Sequence, residues 1–348
     1  MNPYILTIFL TSLGLGTTLT FASSHWLLAW MGLEINTLAI LPLMAQHHHP
    51  RSVEATTKYF LAQATAAATI LFASMTNAWI TGQWDITHMS NPAATIMLTT
   101  ALSMKVGLAP MHFWMPTVLQ GLNLTTGLIM TTWQKLAPLA LLIQIAPITH
   151  PTLLTTLGVL SALIGGWGGL NQTQLRKMLA YSSIAHLGWM IVVAQFMPQL
   201  TILTISIYII VTSTTFLTFK LLTATKMNML ALAWSKAPTL AAIAALALLS
   251  LGGLPPLTGF MPKWLILQEL TKQELPLTAT IMALSALLSL YFYLRLSYTM
   301  ALTIAPNLNN STAPWRLTNT QMTLPLAIFT APTLTLLPLT PAIQALVS

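Results

Sequence analysis

The sequence predicts an all-α polytopic membrane protein of about eleven transmembrane helices. Two features of composition and one of pattern carry that reading. Only 5% of the 348 residues are charged, against 55% from the AVILMFWYC set, whereas a soluble domain carries about 25% charged residues. The mean hydropathy is +0.75. Apolar stretches of the ~20 residues needed to cross a hydrocarbon layer then follow one another along the whole chain. Thirteen Lys and Arg with five Asp and Glu cannot clothe a soluble surface of this size. A soluble enzyme and a disordered chain are excluded, and with no Cys so is a disulfide-stapled secreted domain. Thiol-ligated metals and iron–sulfur clusters within the chain are excluded on the same ground. A net charge of +8 would suggest nucleic acid in a soluble protein. Here the basic residues lie mostly between apolar segments, so membrane orientation accounts for them and no nucleic-acid partner is expected.

The spans fall at approximately 3–21, 24–45, 54–80, 93–120, 123–146, 152–170, 178–197, 200–224, 238–269, 274–304 and 321–347. The loops are short, so residues 1–348 are read as a single transmembrane domain. Its approximate halves are 1–146 and 152–304, with a C-terminal helix at 321–347. The N-terminus, MNPYILTIFL, has the pattern of neither a secretory signal nor a transit peptide. Insertion where the chain is made is expected. Counting loops alternately puts Arg51, Arg176, Lys177, Lys226, Lys236 and Arg316 on the side of the N-terminus. The other side receives only Lys272, with Asp85, Glu269 and Glu274. That bias assigns the N-terminus to the cytoplasm-like face, and an odd number of helices sends the C-terminus to the opposite one. Trp26, Trp79, Trp84, Trp234 and Trp315 lie near span ends, where interfacial anchors are expected.

Two spans look broken. Gly107, Pro110 and Pro116 interrupt KVGLAPMHFWMP in the fourth, and Gly252, Gly253, Pro255, Pro256, Gly259 and Pro262 interrupt LGGLPPLTGFMPKW in the ninth. Irregular backbone survives at membrane depth only where protein buries it or water bathes it. One interrupted segment in each half points to an inverted-repeat transporter with its ion path at the breaks. The repeat is legible as breaks and lysines only, without a residue-level alignment of the halves.

Charges inside spans are the rarest feature. Glu34 lies near the middle of the second span, Lys105 begins the first break, Lys135 is mid-span in TTWQKLAPLALL and Lys263 follows the second break. A charge at the bilayer centre costs about 2.5–3.5 kcal/mol on insertion scales, so four of them call for partners or a task. A carboxylate ~4 Å from an ammonium, at an effective dielectric near 20, stabilises it by roughly 4 kcal/mol. Moving one charge against 100 mV takes about 2.3 kcal/mol. A Glu34–Lys105 pair that opens and closes is therefore large enough to load and release a proton, with Lys135 as relay and Lys263 serving the second half. The alternative is a static buried pair that fixes helix packing. His112 and His186 also fall inside spans and suit a relay.

Other features read more simply. Lys220 is near enough a helix end to snorkel, Glu54 and Lys58 have the spacing of a local pair, and His47-His48-His49 reads as a solvated loop. Tyr181, Ser182, Ser183 and Thr212 to Thr215 either line a hydrated path or bond across helices. The glycines of Gly165-Gly166-Trp167-Gly168-Gly169 read as close helix packing, since no nucleotide-binding pattern occurs. No ligand for a redox cofactor is evident.

The segments MGLEINTLAILPLM (31–44), KVGLAPMHFWMPTVLQGL (105–122), TTWQKLAPLALL (131–142), LRKMLAYSSIAHLGWM (175–190) and LTGFMPKWLILQEL (257–270) resemble the NADH dehydrogenase subunit 2 family. These are the antiporter-like membrane subunits of mitochondrial respiratory complex I, NADH:ubiquinone oxidoreductase. The resemblance runs along nearly the whole chain. It implies two inverted five-helix repeats with a broken helix in each, and a subunit that moves protons from matrix to intermembrane space without redox chemistry of its own. FMN, iron–sulfur clusters and ubiquinone would belong to other subunits of the complex. Carried over by motif, the polar axis of the family falls on Glu34, Lys105, Lys135 and Lys263, with His186 between; some relatives differ at the last lysine. The resemblance also implies the mitochondrial inner membrane, the N-terminus in the matrix and the C-terminus facing the intermembrane space. The implied partners are neighbouring antiporter-like subunits and lipids such as cardiolipin. The residues by themselves leave two other readings open: a stand-alone cation/proton antiporter, and a structural subunit whose polar residues lock helices together.

Overall fold

The computed structural model describes residues 2–301 and 323–347. Helices begin where a side chain can take an orphan N–H and a proline can occupy the first turn. Asn2, His49 and Asn91 cap α1 (Pro3–Ala22), α3 (Pro50–Thr81) and α4 (Pro92–Val106) in this way, and each of these helices has Pro in its first turn. His25 caps α2 (Trp26–Met44) through its ring. The first unit, Met1–Ser161, continues with α5 (Trp114–Gly121), α6 (Leu124–Thr131), α7 (Trp133–Ile145) and the first part of α8 (Pro151–Gly169). Within it α1 and α2 meet at a glycine seam. A Cβ on Gly16 would come within 2.9 Å of the Gly32 carbonyl, and one on Gly32 within 2.8 Å of the Gly16 carbonyl. Small residues let these backbones touch.

The second unit, Ala162–Ser348, holds α9 (Leu175–Ala194), α10 (Pro198–Leu221), α11 (Met227–Ala231), α12 (Ala233–Lys236), α13 (Pro238–Gly252), α14 (Phe260–Lys272), α15 (Pro276–Ala301), α16 (Leu324–Thr335) and α17 (Thr340–Val347). Helix α9 is buried along nearly its whole length. The glycines at the end of α8 do pack closely: a Cβ on Gly165 would meet the Ala185 backbone, on Gly166 Leu288, on Gly168 the Tyr181 ring and on Gly169 the Phe292 ring.

Among the described residues, eight helices are long and apolar enough to cross a membrane, counting Leu124–Ile145 as one. Leu324–Thr335 and Leu337–Ile343 make a ninth if that pair, bent by 65°, is one span. The expected fourth and ninth spans are each two shorter helices, α4 with α5 and α13 with α14. Residues 302–304 of the tenth expected span, 321 and 322 of the eleventh, and also Trp315 and Arg316, lie outside the described residues. Trp79 is 91% exposed and Trp234 half exposed, whereas Trp26 is buried. Trp26 therefore corrects an expectation: it is a core residue at a helix start, since α2 turns that face inward. Trp84 stacks on His25 at 5.6 Å.

The two breaks are built alike. Helix α4 ends at Gly107 (φ 89°) and α13 at Gly253 (φ 78°), both left-handed. The Leu108 and Leu254 N–H groups reach back to the carbonyls of Ser103 and Leu249, which closes each helix with a Schellman-type turn. The bonds Ala109–Pro110 and Pro255–Pro256 are both cis. A shift of 146 positions lays Gly107–Thr117 on Gly253–Lys263, with Gly, Leu, Pro, Met and Pro identical. The halves thus share a residue-level motif, confined to the breaks.

Candidate functional site

Each unit holds one buried cavity at its break. In the first, a small cavity is lined by Lys105, Lys135, Asn36, Gln63, Gln134 and Tyr59, among others. Lys105 occupies the last turn of α4, the favourable end of the helix dipole for a cation, and is 5% exposed. Among the described residues its ammonium has no hydrogen-bond partner. The open carbonyls at this helix end are taken by other side chains. Trp114 Nε1 donates to the Met104 carbonyl at 3.1 Å, and Gln63 Nε2 to that of Lys105 at 3.3 Å. Lys135 is buried in the first turn of α7, and the neighbouring Gln134 ties α7 to α2 by donating to the Asn36 carbonyl at 3.1 Å.

Glu34 is half-buried, and its carboxylate accepts a hydrogen bond from Thr37 at 3.0 Å. Among the described residues the ion pairs within 4.0 Å are Glu54–Lys58, Asp85–His88 and Glu269–Lys272. Glu34 and Lys105 do not form one. His112 is buried in the turn between α4 and α5, bonded to the Pro110 backbone and against the Phe113 ring, and it does not line the cavity.

In the second unit a cavity of similar size is lined by Lys263, His186, Tyr208, Ser250, Thr204 and Trp189, among others. Lys263, in the first turn of α14, is 8% exposed and donates to the Gly252 carbonyl at 2.8 Å. It thereby satisfies the last carbonyl of α13, where the dipole also favours a cation. Aligned through the breaks, Lys263 corresponds to Thr117 and Lys105 to Leu251, so the two lysines approach their breaks from opposite sides. The His186 and Tyr208 rings lie 5.6 Å apart, and Tyr208 shares a hydrogen bond with Ser183.

Sequence reasoning missed the neutral lining groups, chiefly Asn36, Gln63, Gln134, Tyr59 and Tyr208, because amides and phenols inside spans are too common to stand out. Arg295 meets the same criterion as Lys135, a charge inside an expected span. It serves a helix end, donating to the Leu170 carbonyl at 2.9 Å just beyond α8. The bland readings hold elsewhere: Glu54 and Lys58 pair at i,i+4, and Lys220 is exposed. Ser182, Ser183 and Thr212 to Thr215 bond to carbonyls of their own helices, and Ser182 and Ser183 also bond across helices to Tyr293 and Tyr208. His48 and His49 are exposed.

Known proteins fit this geometry. Residues 23–289 match the family model of the transmembrane region of NADH:quinone oxidoreductases and Mrp antiporters, and residues 290–344 that of the NADH dehydrogenase subunit 2 C-terminus. NADH-ubiquinone oxidoreductase chain 2 of Carassius auratus is 72% identical over 99% of both chains, and that of Oncorhynchus mykiss 68% over 100% of both. The fold is similar to a chain of respiratory complex I from Thermus thermophilus with bound aureothin, with TM-score 0.84, 28% identity, 99% of this chain and 81% of that one covered. It is also similar to a chain of the Mrp complex from Dietzia sp. DQ12-45-1b, with TM-score 0.79, 16% identity, 97% of this chain and 75% of that one. On this sequence likeness along its full length, the chain belongs to the NADH-ubiquinone oxidoreductase chain 2 family of antiporter-like membrane subunits.

Proposed function

We propose that this chain carries protons from matrix to intermembrane space as a multi-pass subunit of NADH:ubiquinone oxidoreductase in the mitochondrial inner membrane. Glu34, Lys105, Lys135, His186 and Lys263 form the relay in this reading, and His112 has a subsidiary role. Electron transfer, with FMN, iron–sulfur clusters and ubiquinone, proceeds in other subunits. The supporting observation is that each unit buries lysine in a cavity at a broken helix, Lys105 with Lys135 in one and Lys263 in the other. Buried lysines in spans are expensive to keep, which marks them as functional. The six-to-one distribution of basic residues supports a matrix-facing N-terminus and an intermembrane-space C-terminus. Each interrupted or bent helix pair counts as one crossing in this reading, giving eleven. Neighbouring antiporter-like subunits and anionic lipids such as cardiolipin complete the assembly. The test is Lys135→Met in the assembled, reconstituted complex. Protons pumped per NADH oxidised should fall while a native gel shows normal assembly. An unchanged ratio in an intact complex would remove Lys135 from the relay.

A further inference from the structure

The second break is tied to the C-terminal helix α16 by a hydroxyl that the relay does not use. Thr258 lies between α13 and α14 and is 1% exposed. Its Oγ1 donates to the Thr333 carbonyl at 2.7 Å, across 75 positions of sequence. Thr333 belongs to the last turn of α16, where carbonyls find no partner within the helix, so the hydroxyl fills an open place. That bond uses the one proton a hydroxyl has. Toward Ser250, 3.4 Å away, Thr258 can then only accept. The Ser250 hydroxyl therefore points its proton at Thr258 and receives the Gly259 N–H at 3.3 Å. These two links are long and weak, and the bond to Thr333 is the strong one. A directed chain thus joins the start of α14 and the last turn of α13 to the end of α16.

The chain sits where Lys263 needs it. A Cβ on Gly259 would collide with the Ser250 carbonyl, so the start of α14 lies directly on the end of α13. Four positions further on, about one helical turn, Lys263 reaches back to the Gly252 carbonyl at 2.8 Å. Ser250, Gly259 and Lys263 line the same cavity. The shift of 146 positions that aligns the breaks lays Thr258 on His112 and Ser250 on Met104. The first break makes the same left-handed turn with those residues, so the turn itself does not need the two hydroxyls.

We infer that Thr258 is a positioning residue for Lys263. It anchors the start of α14 to the Thr333 carbonyl of α16, and so holds the Lys263 ammonium at the end of α13 where a proton is exchanged. The inference rests on the proton-translocating reading of this cavity and adds a residue and an anchoring helix to it. Thr258 neither takes nor gives the transferred proton, because its own stays on the bond to Thr333. The seat of the C-terminal helix thereby sets how well Lys263 is placed.

Two measurements on the whole complex test this, with Thr258→Val beside Thr258→Ser. Valine keeps the branched shape and loses the hydroxyl, whereas serine keeps the hydroxyl and loses a methyl group. A space-filling role makes valine the better substitute, and an anchoring role makes serine the better one. Misplacing a reacting group by about 1 Å can cost a hundredfold in rate. The expected result is NADH-driven pumping per intact complex about tenfold or more slower with valine, and close to the unmodified rate with serine. The KM for NADH should stay where it is in both. The second measurement is a cryo-electron-microscopy map of the valine complex, which should show the Lys263 ammonium withdrawn beyond hydrogen-bond distance of the Gly252 carbonyl. A loss of stability alone would not move it. Unchanged pumping with valine, equal loss with serine, a valine variant that does not assemble, or a map with Lys263 still on Gly252 overturns the inference. Failure of Lys135→Met to alter pumping would instead strike the wider reading, and the displacement of Lys263 would still report the anchor.

Discussion

Lys263 shows how one side chain can hold a fold together at the point where chemistry is expected of it. Its ammonium closes the hydrogen-bond deficit of α13 by donating to Gly252 at 2.8 Å, and the helix end supplies negative potential to hold it. Replacing Lys263 by Met keeps the stem and removes the donor, leaving a buried carbonyl unmet at a general cost of about 1–3 kcal/mol. The expected outcome is a complex that assembles but dissociates several degrees lower on heating, followed by native gel. Lys263→Arg should recover part of that loss, since a guanidinium still donates. An unchanged dissociation temperature for Lys263→Met would mean that the bond to Gly252 adds nothing net. This capping role was not legible in the sequence. The rarity of a buried lysine announces that it matters, but its partner is a backbone carbonyl eleven positions earlier, which no pattern of side chains reports. Thr258 was hidden for a different reason: a hydroxyl in a span is commonplace until its surroundings show what it bonds.

At the scale of elements, the breaks were legible and their common construction was not. Gly and Pro mark both interruptions in the sequence, and α4/α5 and α13/α14 part there. The shared register emerges only from the backbone, where Gly107 and Gly253 take the same left-handed conformation and the following leucines make the same return hydrogen bond. Two lysines on opposite sides of aligned breaks obscure the match, because an eye drawn to charge aligns the wrong positions. The shared turn predicts graded sensitivity to an added methyl group. Alanine in the left-handed region costs roughly 1–2 kcal/mol, and that contribution applies at Gly82, Gly107 and Gly253 alike. Around Gly82 nothing lies within 4 Å, whereas at Gly107 the Trp114 ring is at 3.3 Å and at Gly253 the Lys263 Cδ is at 2.9 Å. Gly253→Ala should therefore be the most damaging, because it also pushes Lys263 off the carbonyl it caps. Gly107→Ala should be intermediate and Gly82→Ala the mildest. Heat-induced dissociation of the three variant complexes checks the order, and equal losses would show that only the backbone conformation matters.

At the scale of the whole molecule, hydropathy delivered the spans because the bilayer imposes one length on every crossing. It blurred where a crossing is made of two helices, since apolar composition runs through a break unchanged. Helices α13 and α14 have 15 and 13 residues, each short for a crossing by itself, so the proposed topology rests on their acting together. Lys226 precedes this pair and Lys272 ends it, and both are exposed. The chain has no Cys, so a single introduced thiol reports its own position without background. Lys226→Cys should react with a membrane-impermeant maleimide only after the inner membrane is opened, as a matrix-side residue would. Lys272→Cys should react in intact mitoplasts, from the intermembrane-space side. Both residues labelling from the same side would mean that α13 and α14 enter and leave by one face. The broken pair would then be a re-entrant loop, and every assignment of side beyond it would invert.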